Sequence, residues 1–215
     1  MKRLRITFSK GEELKYISHL DLMRAWERLL RRAGVPLAYS KGFNPHPKVS
    51  VAAPLPIGVS GEAELMDVFV EGEETPARIR EMMEPQLPRG LRVVDVREVS
   101  AEAPSLQSEL RFSDYEVDLA TPLSREAVES RVKALLAASS IERERQRDRE
   151  VRRYDLRPLI DDIWIAEWNG GQKLAMRLRA DVGGAGRPDE VLAALGLEEY
   201  VKRIRRTGLV LEERG

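Results

Sequence analysis

Residues 3–34 read RLRITFSKGEELKYISHLDLMRAWERLLRRAG, a short alternating segment followed by a helical one. In RLRITF, Leu4, Ile6 and Phe8 share one parity, the pattern of a half-buried strand. Further on, Leu20, Met23, Leu30 and Ala33 recur at helical intervals, with Ile17 just before them. Ser18 stands as the expected N-cap, with Asp21 where a capping box carries Glu or Gln. Gly34 supplies the stop. A strand feeding an amphipathic helix is the opening of an α+β domain.

Working outward, strands are expected around 35–39, 49–53 and 66–70. A second helix is expected over 75–87, opened by Pro76 where proline is tolerated, and a strand over 91–99. Residues 102–108, with Pro104 and two serines, read as a linker. Then the order nearly repeats. A strand is expected over 111–119 and a helix over 124–138 capped by Ser124, followed by strands over 141–149, 163–168 and 174–180. A short helix over 188–195 and a strand over 207–211 complete the chain. Strand–helix–strand–strand–helix–strand, twice, is the ferredoxin-like order. The expected fold is therefore α+β with two tandem ferredoxin-like (βαββαβ) domains, residues 1–103 and 109–215. One continuous α+β domain is the alternative. Helices on one face of each sheet would leave the other face open to a partner.

Composition narrows the chemistry. With no cysteine among 215 residues, disulfides, thiolate metal sites, iron–sulfur clusters and cysteine nucleophiles are all excluded. No apolar run reaches the roughly 18 residues of a membrane span, and the opening MKRLRITF lacks a signal-peptide core, so a soluble cytoplasmic protein is expected. Charge is uneven in a chain that is neutral overall. Residues 1–50 carry eleven Lys/Arg against four Asp/Glu, whereas 51–110 carry five against twelve. A local positive field attracts polyanions whatever the fold.

Arg24, Arg28, Arg31 and Arg32 follow at steps of four, three and one, away from the apolar stripe. Such a row matches phosphates, which guanidinium groups grip in two-pronged fashion. A solvated helix face with Glu27 as local partner is the plainer alternative. Next comes YSKGFNPHPK (39–48), which interleaves rings, cations and prolines. Tyr39 and Phe43 are candidates to stack on bases, Lys41 and Lys48 to meet phosphate, and Asn44 and His46 to meet polar edges. Pro45 and Pro47 stiffen the setting of His46, and Gly42 opens a backbone conformation closed to other residues. The alternative is a hairpin connection whose rings plug the core.

LKYISHLDLMRAWERLLRRAG followed by PLAYSKGFNPHPKVSVAAPLPIGV resembles the radical SAM-linked protein family of bacteria, domain of unknown function 2344. YDLRPLI (154–160) looks like the family's second landmark. The resemblance implies a radical SAM protein encoded nearby as partner, and a gene neighbourhood pointing toward RNA. Radical chemistry would belong to that partner, and no catalytic residue is carried over. The layout also looks like the tandem ferredoxin-like ribonucleases that process CRISPR repeat RNA.

Two histidines are the catalytic candidates of a metal-independent endoribonuclease, His46 in the loop and His19 at the helix start, where the helix dipole would lower its pKa. No His/carboxylate set has metal-site spacing, and neither a metal nor a cofactor is expected. A second arginine row, Arg143, Arg145, Arg147 and Arg149, fits one face of a strand or a salt-bridged arm. Leu156 to Trp168 is an apolar stretch expected in the core, with docking of the radical SAM partner as its second use. The expected function is an accessory RNA-binding protein working with a radical SAM enzyme in RNA or ribosome-related modification. The endoribonuclease and a purely protein-binding scaffold are the alternatives.

Overall fold

The computed structural model describes residues 1–147, 150–168 and 170–212, and at 145–147, 150 and 152 the backbone alone. This chain divides into two compact units, Met1–Leu110 and Arg111–Glu212, each of them α+β.

The first unit runs β1 (Lys2–Lys10), α1 (His19–Arg32), β2 (Val49–Val51), β3 (Val59–Val70), α2 (Pro76–Met83), β4 (Leu91–Val99) and the short α3 (Leu106–Glu109). Its strands lie antiparallel in the order β4-β1-β3-β2. Leu4 sits opposite Val68 and Ile6 opposite Met66, so their apolar parity faces the helices. Buried among them are Phe8, Leu29, Leu30, Ile79 and Met83, with Trp26 edge-on to Phe8 at 5.0 Å between ring centres.

Helix α1 is capped as expected: Ser18 Oγ accepts from the Asp21 amide at 3.1 Å and donates to the Asp21 carboxylate at 2.8 Å. Gly34, at φ +71°, ends it, and the Val35 amide reaches back to the Leu30 carbonyl. The buried face, however, is Leu22, Trp26, Leu29 and Leu30, and Leu20 is 66% exposed. The apolar stripe is thus rotated from the one read in sequence, because the bulky Trp26 centres the face on the core. Residues 35–39 form isolated bridges rather than a strand, β3 begins seven residues before its expected start, and Pro85 turns the end of α2 into a 3₁₀ turn.

The opposite face of the first sheet is closed over β1 and β3, while Asp95 and Arg97 on the edge strand β4 stay exposed. Arg3, Arg5 and Asp67 share it, and all are buried. Asp67 accepts from Arg3 Nε at 2.8 Å and Arg5 Nε at 2.9 Å, and from the outer nitrogens of both guanidinium groups. Arg5 also donates to Glu109 at 3.1 Å, and Arg3 to the carbonyls of Ala103 and Pro104. Residues 102–108, read as a linker, therefore fold back against β1 and β3, with Leu106 fully buried.

The second unit runs β5 (Leu110–Leu119), α4 (Arg125–Ala137), β6 (Glu142–Arg147), β7 (Glu150–Asp155), β8 (Ile160–Glu167), β9 (Gln172–Asp181), β10 (Gly184–Ala185), α5 (Pro188–Leu195) and β11 (Val201–Leu211). Its main strands lie in the order β11-β5-β9-β8, with β10 continuing from β9. The outer parity of β5, Asp114, Glu116 and Asp118, meets Arg177 at 2.7 Å, Arg205 at 2.7 Å and Arg203 at 2.6 Å on its two neighbours. These cross-strand pairs explain why β11 starts six residues earlier than apolar content alone indicates.

The β6–β7 hairpin is an arm inserted between α4 and β8. Arg143 turns back to Glu190 at 3.1 Å, and Arg153 crosses to Glu144 at 2.9 Å. The row Arg143, Arg145, Arg147 and Arg149 is thus internally paired at its first member, and Arg149 lies outside the described residues. YDLRPLI forms the corner beneath the arm. Asp155 accepts from the amides of Ile141 (2.7 Å) and Arg157 (2.9 Å), while Arg157 holds the carbonyls of Leu136 and Ile160.

Two stability outcomes follow from these anchors. Asp67→Ala leaves buried Arg3 with carbonyl partners alone and Arg5 with Glu109 as its one carboxylate, and is expected to cost about 3 kcal/mol in urea unfolding. At Asp155, two amide hydrogen bonds hold the carboxyl below its ordinary value of 3.8. Its contribution is therefore present above that value and lost as pH falls through the depressed one. Asp155→Asn should be less stable than the parent at neutral pH, with the gap closing in acid; a gap independent of pH would contradict this.

Candidate nucleic-acid interface

Along α1 the side chains exposed to solvent are Leu20, Asp21, Arg24, Arg28, Arg31 and Arg32. At about 100° per residue they span an arc of about 120°, so all four arginines share one face. Their engagement differs. Arg24 and Arg31 have loose neighbours one turn back, Asp21 and Glu27, each at 3.5 Å. Such exposed pairs hold little energy and open readily to a better anion. Arg32 donates to the Gln86 carbonyl at 3.1 Å and ties α1 to the end of α2. Arg28 has no hydrogen bond or ion pair among the described residues.

The loop after α1 is a clamped hairpin. Leu37 bridges Val70, Tyr39 bridges Pro47, and the Lys48 amide donates to the Ala38 carbonyl at 2.8 Å. Ser40 closes the neck twice: its amide donates to the His46 carbonyl at 2.8 Å, and its hydroxyl accepts from the His46 amide at 3.0 Å. Beyond that neck stand Lys41, Gly42, Phe43, Asn44 and Pro45, all exposed, with Phe43 showing no burial at all. Gly42 adopts φ +138°, which explains the glycine. A ring held in solvent by a closed neck has no packing role to explain it. Tyr39 is 42% exposed in the stem. The core-plug alternative is thus absent.

Not every expected residue joins this surface. Lys48 lies in the stem with its ammonium over the Phe69 ring, 5.9 Å from the centroid, sharing that ring with Arg3 at 5.7 Å. Arg3, Arg5 and Lys10, counted in the basic block, are buried. Since the α1 terminus and the loop stem both meet the end of β3, Arg31, Arg32 and the loop occupy one end of the unit. Glu71, Glu73 and Glu74 are exposed there too, with Glu73 taking Lys2 at 3.5 Å. His19 heads α1 at the other end, about 20 Å away along the axis. His19 and His46 therefore form no catalytic pair. Burial lowers the His19 pKa from its ordinary 6.5, which disfavours the charged form at pH 7.

Sequence reasoning missed three exposed apolar side chains near the start of α1: Tyr16, Leu20 and Ile57, 73%, 66% and 65% exposed. The sequence signal was the proline-flanked PLPIG, whose Gly58 amide donates to the Lys15 carbonyl at 2.8 Å. In the second unit Trp164 borders a groove of about 370 Å³ between α4 and β8, while Leu156, Ile160 and Ile163 are core. Among the described residues no three His, Cys, Asp or Glu side chains could hold a metal, and no helix is long and apolar enough to cross a membrane.

Residues 3–188 match the family described as "Uncharacterized protein conserved in bacteria (DUF2344)", and the chain belongs to that family. No curated protein sequence matches it. Similar solved structures include a Cbf5-Nop10-Gar1 complex (14% identity, TM-score 0.51, covering 96% of this chain and 48% of that one). An archaeal box H/ACA sRNP Nop10-Cbf5 complex is also similar (13%, 0.48, 98% and 49%). The chain spans about half the length of these proteins, and the likeness is one of fold.

An NMR titration should place the His19 midpoint below 6.5, and acidification through that range should destabilise the parent more than His19→Gln. A midpoint at or above 6.5 would contradict the burial described.

Proposed function

We propose that this member of the DUF2344 family is an accessory RNA-binding protein that works with a radical SAM enzyme in RNA or ribosome-related modification. The observation that carries it is the solvent-exposed Phe43, presented by a clamped loop at the end of the unit where the α1 arginine face finishes. RNA recognition uses such parts: cations for phosphate and a rigid ring for an unstacked base. Lys41 and Asn44 on the tip, and Tyr39 and His46 in its stem, fill out the surface; Arg24, Arg28, Arg31 and Arg32 supply the charge. Lys48 supports the stem.

Both units support reading the architecture as tandem ferredoxin-like, with proposed domains 1–103 and 109–215. The strand orders β4-β1-β3-β2 and β11-β5-β9-β8 each place the first strand centrally, with a helix before the second and the fourth. The radical SAM partnership rests on the sequence resemblance. Within it, this chain would hold the substrate while the partner carries out the chemistry. The endoribonuclease reading would rest on His46 or His19 alone as general base.

Fluorescence anisotropy with labelled RNA tests the proposal. Binding should weaken steeply with salt, and Arg28→Ala should reduce the log–log salt slope by about one. Phe43→Ala should weaken binding about tenfold with the slope unchanged. Absence of RNA binding at low salt sinks the proposal.

A further inference from the structure

Tyr16 lies outside every interaction assigned so far, yet its position is held closely. The Gly58 amide clamps the Lys15 carbonyl at 2.8 Å, the Ile17 amide donates to the Leu14 carbonyl at 3.1 Å, and Ile17 packs on the core. From this fixed backbone the Tyr16 ring extends into solvent, with the Lys15 ammonium 5.3 Å from its centroid. One turn along, Leu20 is exposed on the side of α1 that carries Arg24, Arg28 and Arg31. These four positions, at steps of four, four and three, fall within an arc of about 80°. Tyr16 stands three residues before α1 begins, so along the chain an exposed ring precedes an exposed aliphatic contact and three cations, and the helix finishes at the end of the unit that bears Phe43.

We infer that the outer face of α1 is a track for single-stranded RNA, with Tyr16 as its stacking platform at the end opposite Phe43. The inference rests on the RNA-binding reading above and adds the substrate class and a second anchor. Three features select an unpaired strand. Rings stack on bases only when those bases are free of their own duplex, because a paired helix buries its base faces. Both rings sit on clamped backbone, which lowers the ordering cost on binding and suits a flexible ligand. The exposed apolar contacts, Tyr16, Leu20 and Ile57 at one end and Phe43 at the other, are separated by cations, whereas a protein-docking core is contiguous and depleted in charge. A 14-residue helix spans about 20 Å, a distance that an extended strand of a few nucleotides covers.

The test uses the full chain with labelled oligouridylates of about two to ten nucleotides and a blunt RNA duplex as competitor. Affinity should rise with length and level off once the strand spans the helix, and duplex should compete poorly. Tyr16→Ala should weaken binding of the longer strands about tenfold and leave the shortest nearly unchanged, while Tyr16→Phe retains parental affinity. Because the ring is exposed, circular dichroism of both variants should match the parent. Equal competition by duplex, or an unchanged affinity in Tyr16→Ala, overturns the track and leaves the RNA-binding reading standing. RNA affinity unchanged in Tyr16→Ala, with loss of a protein that copurifies with the parent, assigns the ring to a protein partner and overturns it too. A parent chain that binds no RNA at low salt removes the underlying reading, and the track with it.

Discussion

Asp67 holds two arginines at once on the side of the first sheet away from its helices. Removing such a carboxylate from water is costly, and the cost is met only because both guanidinium groups, Glu109 and the 103–104 carbonyls complete the network. The network draws residues 102–109 against β1 and β3 and covers the centre of a surface that an open-faced sheet would offer to a ligand. What remains of the early positive charge is therefore displaced to the outer side of α1 and the loop that follows. The location of the candidate interface is a consequence of where the buried charges went.

The second unit solves the same problem differently. Its outer sheet face is a ladder of alternating acids on β5 flanked by arginines on β9 and β11, part-buried and charge-balanced. Neutralised charge of this kind gives register and solubility rather than polyanion affinity. The arginine-rich hairpin begins in the same way, with Arg143 and Arg153 committed to glutamates. YDLRPLI has an architectural task, since Asp155 and Arg157 satisfy the amides and carbonyls exposed where the arm leaves the sheet. The two sequence landmarks thus differ in kind: one braces the fold, the other presents side chains to solvent.

Much of the architecture was legible because it rests on local rules. Ser18 and Ser124 cap the helices they were expected to cap, Thr75 caps the helix that Pro76 opens, and strand 91–99 and helix 188–195 match their expected bounds. The early start of β11 was not legible, since its first residues are charged and pair with acids on a strand distant in sequence. Among the candidate site residues, the stiffness of the loop could be read from Pro45 and Pro47, and its turn from Gly42. Its clamp could not, because Ser40 and His46 become partners only once the chain has turned.

Sequence by itself determined the chemical vocabulary: no thiol, only two histidines, an early surplus of cations, and rings set among prolines and lysines. Tertiary structure decided which of those groups face water. Arg3 and Arg24 are identical in composition counts, yet one is buried against Asp67 and the other is exposed. Leu20 and Leu30 fit one helical pattern, yet one contacts solvent and the other the core. Exposure depends on which surfaces pack together, a property of contacts between distant residues that no local pattern encodes.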